Sequence, residues 1–254
     1  MKIKYALICC LPFLVTACQN MPFSSEQSKI AVAEQLTAKQ VHALVDYTWS
    51  HQANPNLPPI EVNFEGENRF SIATGCNQQS GTWQIVGQRL QTGPLRSTLM
   101  MCDPARMAQE KQSQALFGDA QLRVNLDLRS TEQPVLTLKD KQGVSYQFTG
   151  RMKPEAKYQS EGETVFLEIA PETKPCPADA SKQCFVVREI TYNAQSVKQT
   201  SPTWFAEPID IEGYKHDAST RKIIRTKRFQ TKTTPASNVY IYDMTVEQEI
   251  IPKK

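Results

Sequence analysis

Histidine is scarce in this sequence, and long apolar runs are nearly absent. His42, His51 and His216 are the only histidines in 254 residues, and no two share a metal-binding spacing. The GxSxG, GxGxxG and GxxxxGK[ST] signatures are missing, which removes the usual sequence grounds for a nucleophile elbow, a dinucleotide site or a phosphate loop. Excess charge of one sign is missing too. The chain has 29 Lys and Arg against 26 Asp and Glu, and loss of Lys2 and Lys4 with a cleaved leader leaves 27 against 26. Such a balance lacks the broad positive field that nucleic-acid binding needs, so no nucleic-acid partner is expected. No catalytic residue, metal site or cofactor is nominated. Glu65 and Glu67 flank a turn glycine and read as a solvated hairpin tip rather than an acid–base pair.

Apolar residues do run together at the N-terminus. Lys2 and Lys4 precede about thirteen mostly apolar residues, a length suited to a secretory signal and short of the roughly twenty that a membrane-spanning helix needs. The run ends in Val15, Thr16, Ala17 and Cys18, which resembles the bacterial lipobox. That resemblance implies diacylglyceryl transfer to the Cys18 sulfur, cleavage before Cys18 and N-acylation, so membrane lipid is the expected partner through the Cys18 acyl chains. Gln19 in the next position resembles an outer-membrane sorting signal. The expected address is the cell envelope, lipid-anchored in the outer membrane and facing the periplasm.

Seven cysteines are present. Cys9 and Cys10 leave with the leader and Cys18 is the lipidation site, so Cys76, Cys102, Cys176 and Cys184 remain. An even remainder in an oxidising compartment reads as disulfides, with three possible connectivities. The local one, Cys76–Cys102 and Cys176–Cys184, puts one bridge in each half of the chain. Loop closure assigns these about 3.5 and 2.6 kcal/mol. The rival, a four-thiolate zinc site, lacks the short CxxC spacing.

The expected organisation is a leader at 1–17, a tether at 18–46, a first domain at 47–150, a linker at 151–158 and a second β-rich domain at 159–254. Ile60, Val62 and Phe64 alternate with polar residues, as do Leu122, Val124, Leu126 and Leu128, and strands are expected there. Asp103 and Pro104 open a helix and Gly118 stops it. The fold class is α+β, mainly antiparallel β.

Within residues 47–150, Trp49, then Gly75, Cys76 and Asn77, Gly81, Gly93, Pro94 and Leu95, Ser97 and Thr98, Met101 and Cys102, and Glu110 form an ordered series. The series resembles the META domain, also called HslJ-like. The resemblance implies an incomplete β-barrel with one helix, of a kind also seen in a lipid-binding secretin pilot lipoprotein, and a family tied to heat-inducible and drug-tolerance-related envelope proteins. It carries no enzymatic residues. Cys176, Cys184, Arg188, Trp204, Phe205 and the stretch through Gly213 and Tyr214 resemble the uncharacterised family that often follows a META domain. The chain departs from that family at His216.

Trp49, Trp83 and Trp204 are expected mainly as packing residues. Residues 215–232 hold seven Lys and Arg against one acid, Asp217. They read as a solvated edge strand or, more sharply, as a basic patch centred on Arg225, Lys227 and Arg228 that meets anionic lipid or an acidic envelope polymer. The leading expectation is thus a non-enzymatic envelope lipoprotein linked to stress or antibiotic tolerance, acting on an envelope protein or anionic lipid. The alternative is a pilot-like module that holds a lipid or small apolar ligand inside the barrel.

Overall fold

Thr37 opens the first helix with a reciprocal cap. Its hydroxyl accepts from the Gln40 amide while the Gln40 side chain accepts from the Thr37 N–H, the arrangement that satisfies two orphan donors at a helix start. Helix α1 (Ala38–Asp46) follows and buries Ala43 and Leu44. The computed structural model describes residues 35–66 and 68–252. The leader at 1–17, Cys18 and Glu67 lie outside the described residues. Among those described, no helix is long and apolar enough to cross a membrane.

Helix α1 runs straight into β1 (Tyr47–His51). Then come β2 (Ile60–Phe64), β3 (Arg69–Ala73), β4 (Gln78–Val86), β5 (Arg89–Thr92), β6 (Arg96–Ser97), α2 (Pro104–Phe117), β7 (Gln121–Asp127), β8 (Val135–Lys139) and β9 (Ser145–Met152). Pairing passes from β1 through β2, β3, β4, β5, β7, β8 and β9 back to β1, and β6 lies against β4. Eight antiparallel strands therefore close a barrel. Its thinnest seam is β5–β7, with three residue pairs. The incomplete barrel that the resemblance implied is completed by these pairings.

Period-two alternation explains what fills it. Ile60, Val62 and Phe64, and Phe70 and Ile72, point inward with Leu90, Leu122, Leu136 and Phe148, while α2 closes the core with Leu116 and Phe117. Aromatic rings run through the interior as Phe64–Phe70 at 6.0 Å, Phe70–Phe117 at 5.9 Å and Phe117–Phe148 at 6.1 Å. Trp49 is 0% exposed and donates its indole N–H to the Leu44 carbonyl at 3.0 Å, which ties α1 to the core. The protein's own side chains thus occupy the interior in which the alternative reading places a lipid or apolar ligand.

Two expected boundaries also move. The tether at 18–46 is too long, because residues 38–46 form α1 and pack on the barrel, so the first domain has a pair of helices rather than a single one. The linker at 151–158 is structured. Arg151 and Met152 still pair with β1, Lys153 donates to the Phe64 carbonyl at 2.9 Å, and α3 (Pro154–Tyr158) follows.

The second sheet shares no strand with the first. It holds β10 (Glu163–Cys176), β11 (Asp179–Tyr192), β12 (Lys198–Thr200), β13 (Phe205–Glu207), β14 (Ile211–Glu212), β15 (Thr220–Gln230) and β16 (Asn238–Ile250), in the order β12-β11-β10-β15-β16-β14, with β13 on β11. Val165, Leu167 and Ile169 alternate along one face of β10 and meet Val187, Ile211 and Ile224. Tyr214 and Tyr242 pack beside this small core with ring centres 5.8 Å apart. Burial, followed by the charge of Asp217 and the neighbouring Tyr242, pushes the Tyr214 phenol up to about 12. An unfolded tyrosine ionises near 10, so the contribution of Tyr214 to stability is complete below about pH 10 and is lost as pH rises toward 12. In an absorbance titration, Tyr214→Phe is expected to remove a late-ionising tyrosine. An unchanged curve contradicts this assignment.

Candidate functional site

The signature residues of the first sheet converge under α2. Asp103 caps this helix by accepting from the Ala105 and Arg106 amides, and the buried face that follows is polar: Gln109, Glu110 and Ser113. Asn77 sits opposite. Its Oδ1 accepts from the Met100 N–H at 2.7 Å, and its Nδ2 donates to the Met100 carbonyl at 3.0 Å. The side-chain amide thereby treats residue 100 as a strand treats its neighbour. Asn77 Nδ2 also donates to Glu110 Oε2 at 2.8 Å, and the Thr98 hydroxyl donates to Asn77 Oδ1 at 2.8 Å. Ser97 donates to the other Glu110 oxygen at 3.0 Å.

The network extends along the helix. Ser113 donates to Gln79 Oε1 at 2.8 Å, and Gln109 donates to the carbonyls of Pro58 at 2.8 Å and Thr74 at 2.9 Å. Glu110 is 6% exposed. A buried carboxylate is tolerated only with such partners. The Cys76–Cys102 bridge spans the edge of this cluster, and Cys76 Sγ lies 3.9 Å from Met107 Sδ.

Two glycines of the signature serve the same place. Gly75 has φ of +77°, a conformation that L side chains rarely adopt. At Gly81 a Cβ would stand 2.9 Å from Phe70 Cε1 and 3.1 Å from Leu95 Cδ2. Gly75, Cys76, Asn77, Gly81, Cys102 and Glu110 are therefore brought together, and their joint action is to hold residues 93–103 and α2 against the barrel. Their polar groups are directed at one another.

Other sequence-nominated residues do not join this cluster. Cys176 and Cys184 form their own disulfide at the β10–β11 hairpin. Gly213 follows β14 in a turn where the Tyr214 N–H donates to the Ile211 carbonyl at 3.0 Å. Trp204 is half-buried rather than core, with the Arg188 guanidinium 4.4 Å over its ring. Arg188 in turn donates to the buried Glu168 at 2.7 Å. His51 lies 2.7 Å from the Gln147 carbonyl and packs on Phe148, while His216 lies 3.1 Å from the Ala170 carbonyl and stacks on Phe185. His42 is exposed on α1. Among the described residues no group of three or more His, Cys, Asp or Glu is arranged to hold a metal ion.

The basic stretch is corrected on two counts. β15 is an inner strand between β10 and β16, not an edge. Successive side chains of a strand also point to opposite faces, so Arg225 and Lys227 share one face while Arg228 takes the other. Each has a close acceptor: Arg225 is 2.5 Å from Asp243, Lys227 donates to the Glu161 carbonyl at 2.7 Å, and Arg228 pairs with Glu163. No single basic patch is formed by the three.

Open grooves lie outside the barrel interior. One of about 830 Å³ is lined by Tyr158, Ser160, Arg228, Lys232 and Asn238, with Arg228 held by Glu163 and Lys232 donating to Gln159. A second, of about 660 Å³, lies at the end of α2 between Leu116, Leu122, Asp140 and Tyr146. Sequence reasoning also passed over the exposed apolar tip of the 93–103 loop, although three consecutive large apolar residues, Leu99, Met100 and Met101, were the available signal.

Residues 35–153 match the model of the META domain, and that match begins just before α1 and ends just after β9. This stretch of the chain is a META domain, a domain of an envelope-associated protein family. Among solved structures, the NMR structure of a protein from Burkholderia xenovorans is 18% identical, with a TM-score of 0.37, covering 56% of this chain and 100% of its own. A second NMR structure is 20% identical, with a TM-score of 0.34, covering 45% of this chain and 95% of its own. No curated protein matches the chain significantly.

Proposed function

We propose that this chain is a lipid-anchored, non-enzymatic protein of the cell envelope. The observation that carries the proposal is the short apolar segment ending in Val15, Thr16, Ala17 and Cys18. Cleavage before Cys18 and acylation of its sulfur and new amino group give several chains on one residue, and stable anchoring needs more than one. Gln19 directs the product to the outer membrane, facing the periplasm.

Three further observations support this reading. The META domain is one of an envelope-associated family. The four remaining cysteines are paired as two disulfides, bonds that persist in oxidising compartments. The polar side chains of the META signature are engaged with each other under α2 rather than aimed into a cleft, which suits a structural or interaction role. The second sheet is assigned to the domain family that accompanies META. The physiological role is in envelope stress or antibiotic tolerance, and a deletion strain is expected to be more sensitive to such stress.

Peptide mass spectrometry on protein taken from membranes tests the anchor. The expected N-terminal peptide begins at Cys18 and carries diacylglyceryl and acyl mass. Soluble protein that retains an unmodified Met1 terminus overturns the proposal.

A further inference from the structure

Leu99, Met100 and Met101 form the tip of the loop between β6 and α2, and they are 98%, 57% and 87% exposed. Single exposed apolar residues are ordinary. Three in sequence at a loop tip are a solubility cost that folds avoid unless the residues meet something.

The backbone beneath the tip is firmly held. Asn77 binds the N–H and carbonyl of Met100, the Thr98 N–H donates to the Gln78 carbonyl at 3.0 Å, and the Cys76–Cys102 bridge and the Asp103 cap follow immediately. A tip fixed in this way loses little conformational freedom when it is buried in a partner. Exposed Arg96 flanks it on one side, while on the other Arg106 lies 3.3 Å from Asp103, so Arg96 is the cation placed to meet lipid headgroups above an apolar wedge.

We infer that this tip dips into the surface of the bilayer that holds the Cys18 anchor, giving the META domain a second membrane contact and a fixed orientation. The inference rests on the lipid-anchor reading above. The lengths permit it. The Leu36 N–H donates to the Gly87 carbonyl, so the chain enters the barrel beside the turn after β4. Asn77 and the tip lie at the other end of that strand, about 30 Å away for nine residues. Residues 19–34 can span up to about 55 Å, so anchor and tip can reach one membrane together.

The test uses the full-length protein purified from membranes and reconstituted into phosphatidylethanolamine/phosphatidylglycerol vesicles containing a photoreactive phospholipid. Wild type is compared with Leu99→Asp/Met101→Asp. Both substituted side chains are exposed, and circular dichroism checks that the variant keeps the fold. After tryptic digestion, lipid adducts are expected on the peptide spanning 97–106, and the variant is expected to lose them roughly tenfold or more, because two large apolar side chains no longer enter the lipid.

Vesicle-associated wild-type protein with no adduct on that peptide overturns the inference. The same digest reports the Cys18 peptide separately. Missing acyl mass with tip adducts retained defeats the anchor reading and leaves the tip contact standing. Absence of both defeats both.

Discussion

Trp49→Ala is expected to lower the stability of the META domain by about 3–5 kcal/mol, the usual cost of deleting a fully buried large aromatic side chain. Its melting temperature should fall by roughly 10 °C or more. The reason lies in where β1 sits. Trp49 pairs with Val62 on one side and Gly150 on the other, so it stands where the strand that opens the barrel meets the strand that closes it. Its indole N–H holds the end of α1, and Tyr47 lies 5.6 Å from it. Gly150 is matched to it: a Cβ there would come within 2.9 Å of Trp49 Cζ3 and 2.7 Å of Pro134 Cγ. Removing the indole therefore costs dispersion contacts, leaves a void and releases α1. Thermal and urea unfolding measure it, and a loss below about 1 kcal/mol would contradict this description of the core.

Asn77→Ala is expected to cost about 2–4 kcal/mol, although it removes little apolar contact. Its side chain makes two bonds to the Met100 backbone and one each to Glu110 and Thr98. Alanine leaves a buried carboxylate short of a donor and a backbone N–H and carbonyl without partners, and each unsatisfied group costs about 1–3 kcal/mol less whatever water can restore. Asn77→Asp should be no better. It keeps the acceptor for Met100 N–H but turns a donor toward Glu110 Oε2, now 2.8 Å away, into a second carboxylate oxygen. The expected accompaniment is faster amide exchange in residues 97–103, since the loop loses its tie while the barrel strands remain. Unfolding free energies within about 0.5 kcal/mol of wild type for both variants would show that the META signature is not a structural latch.

Much of the first sheet was legible because its interior is set by local alternation. Ile60, Val62 and Phe64 mark β2, and Leu122, Val124 and Leu126 mark β7, without reference to anything distant. Asp103, Pro104 and Gly118 bound α2 for equally local reasons. Helix α1 lies in a stretch whose loosely spaced Val41 and Leu44 read only as a partly helical tether, although Thr37 and Gln40 carry the S/T-x-x-Q spacing of a capping box. The latch was half legible: its glycines, cysteines and Asn77 formed a pattern, but Gln79, Gln109 and Ser113 look like surface residues until α2 is laid over β4. The basic stretch was misread because strand order is a long-range property. Glu163 and Asp243, which pair with Arg228 and Arg225, lie outside the stretch, on the two neighbouring strands, and nothing within residues 215–232 announces that two strands flank them. Trp204 was assigned to the core on its size alone, whereas the nearby Arg188 keeps it at the half-buried edge.

The proposed place of this chain in the cell depends on Cys18 as its attachment point to a membrane. Metabolic labelling with radioactive palmitate, followed by isolation of the wild-type chain and of Cys18→Ser, tests this most directly. Label on the wild type that disappears in the variant is the predicted result. An unlabelled wild-type chain, or equal label on both, would contradict it.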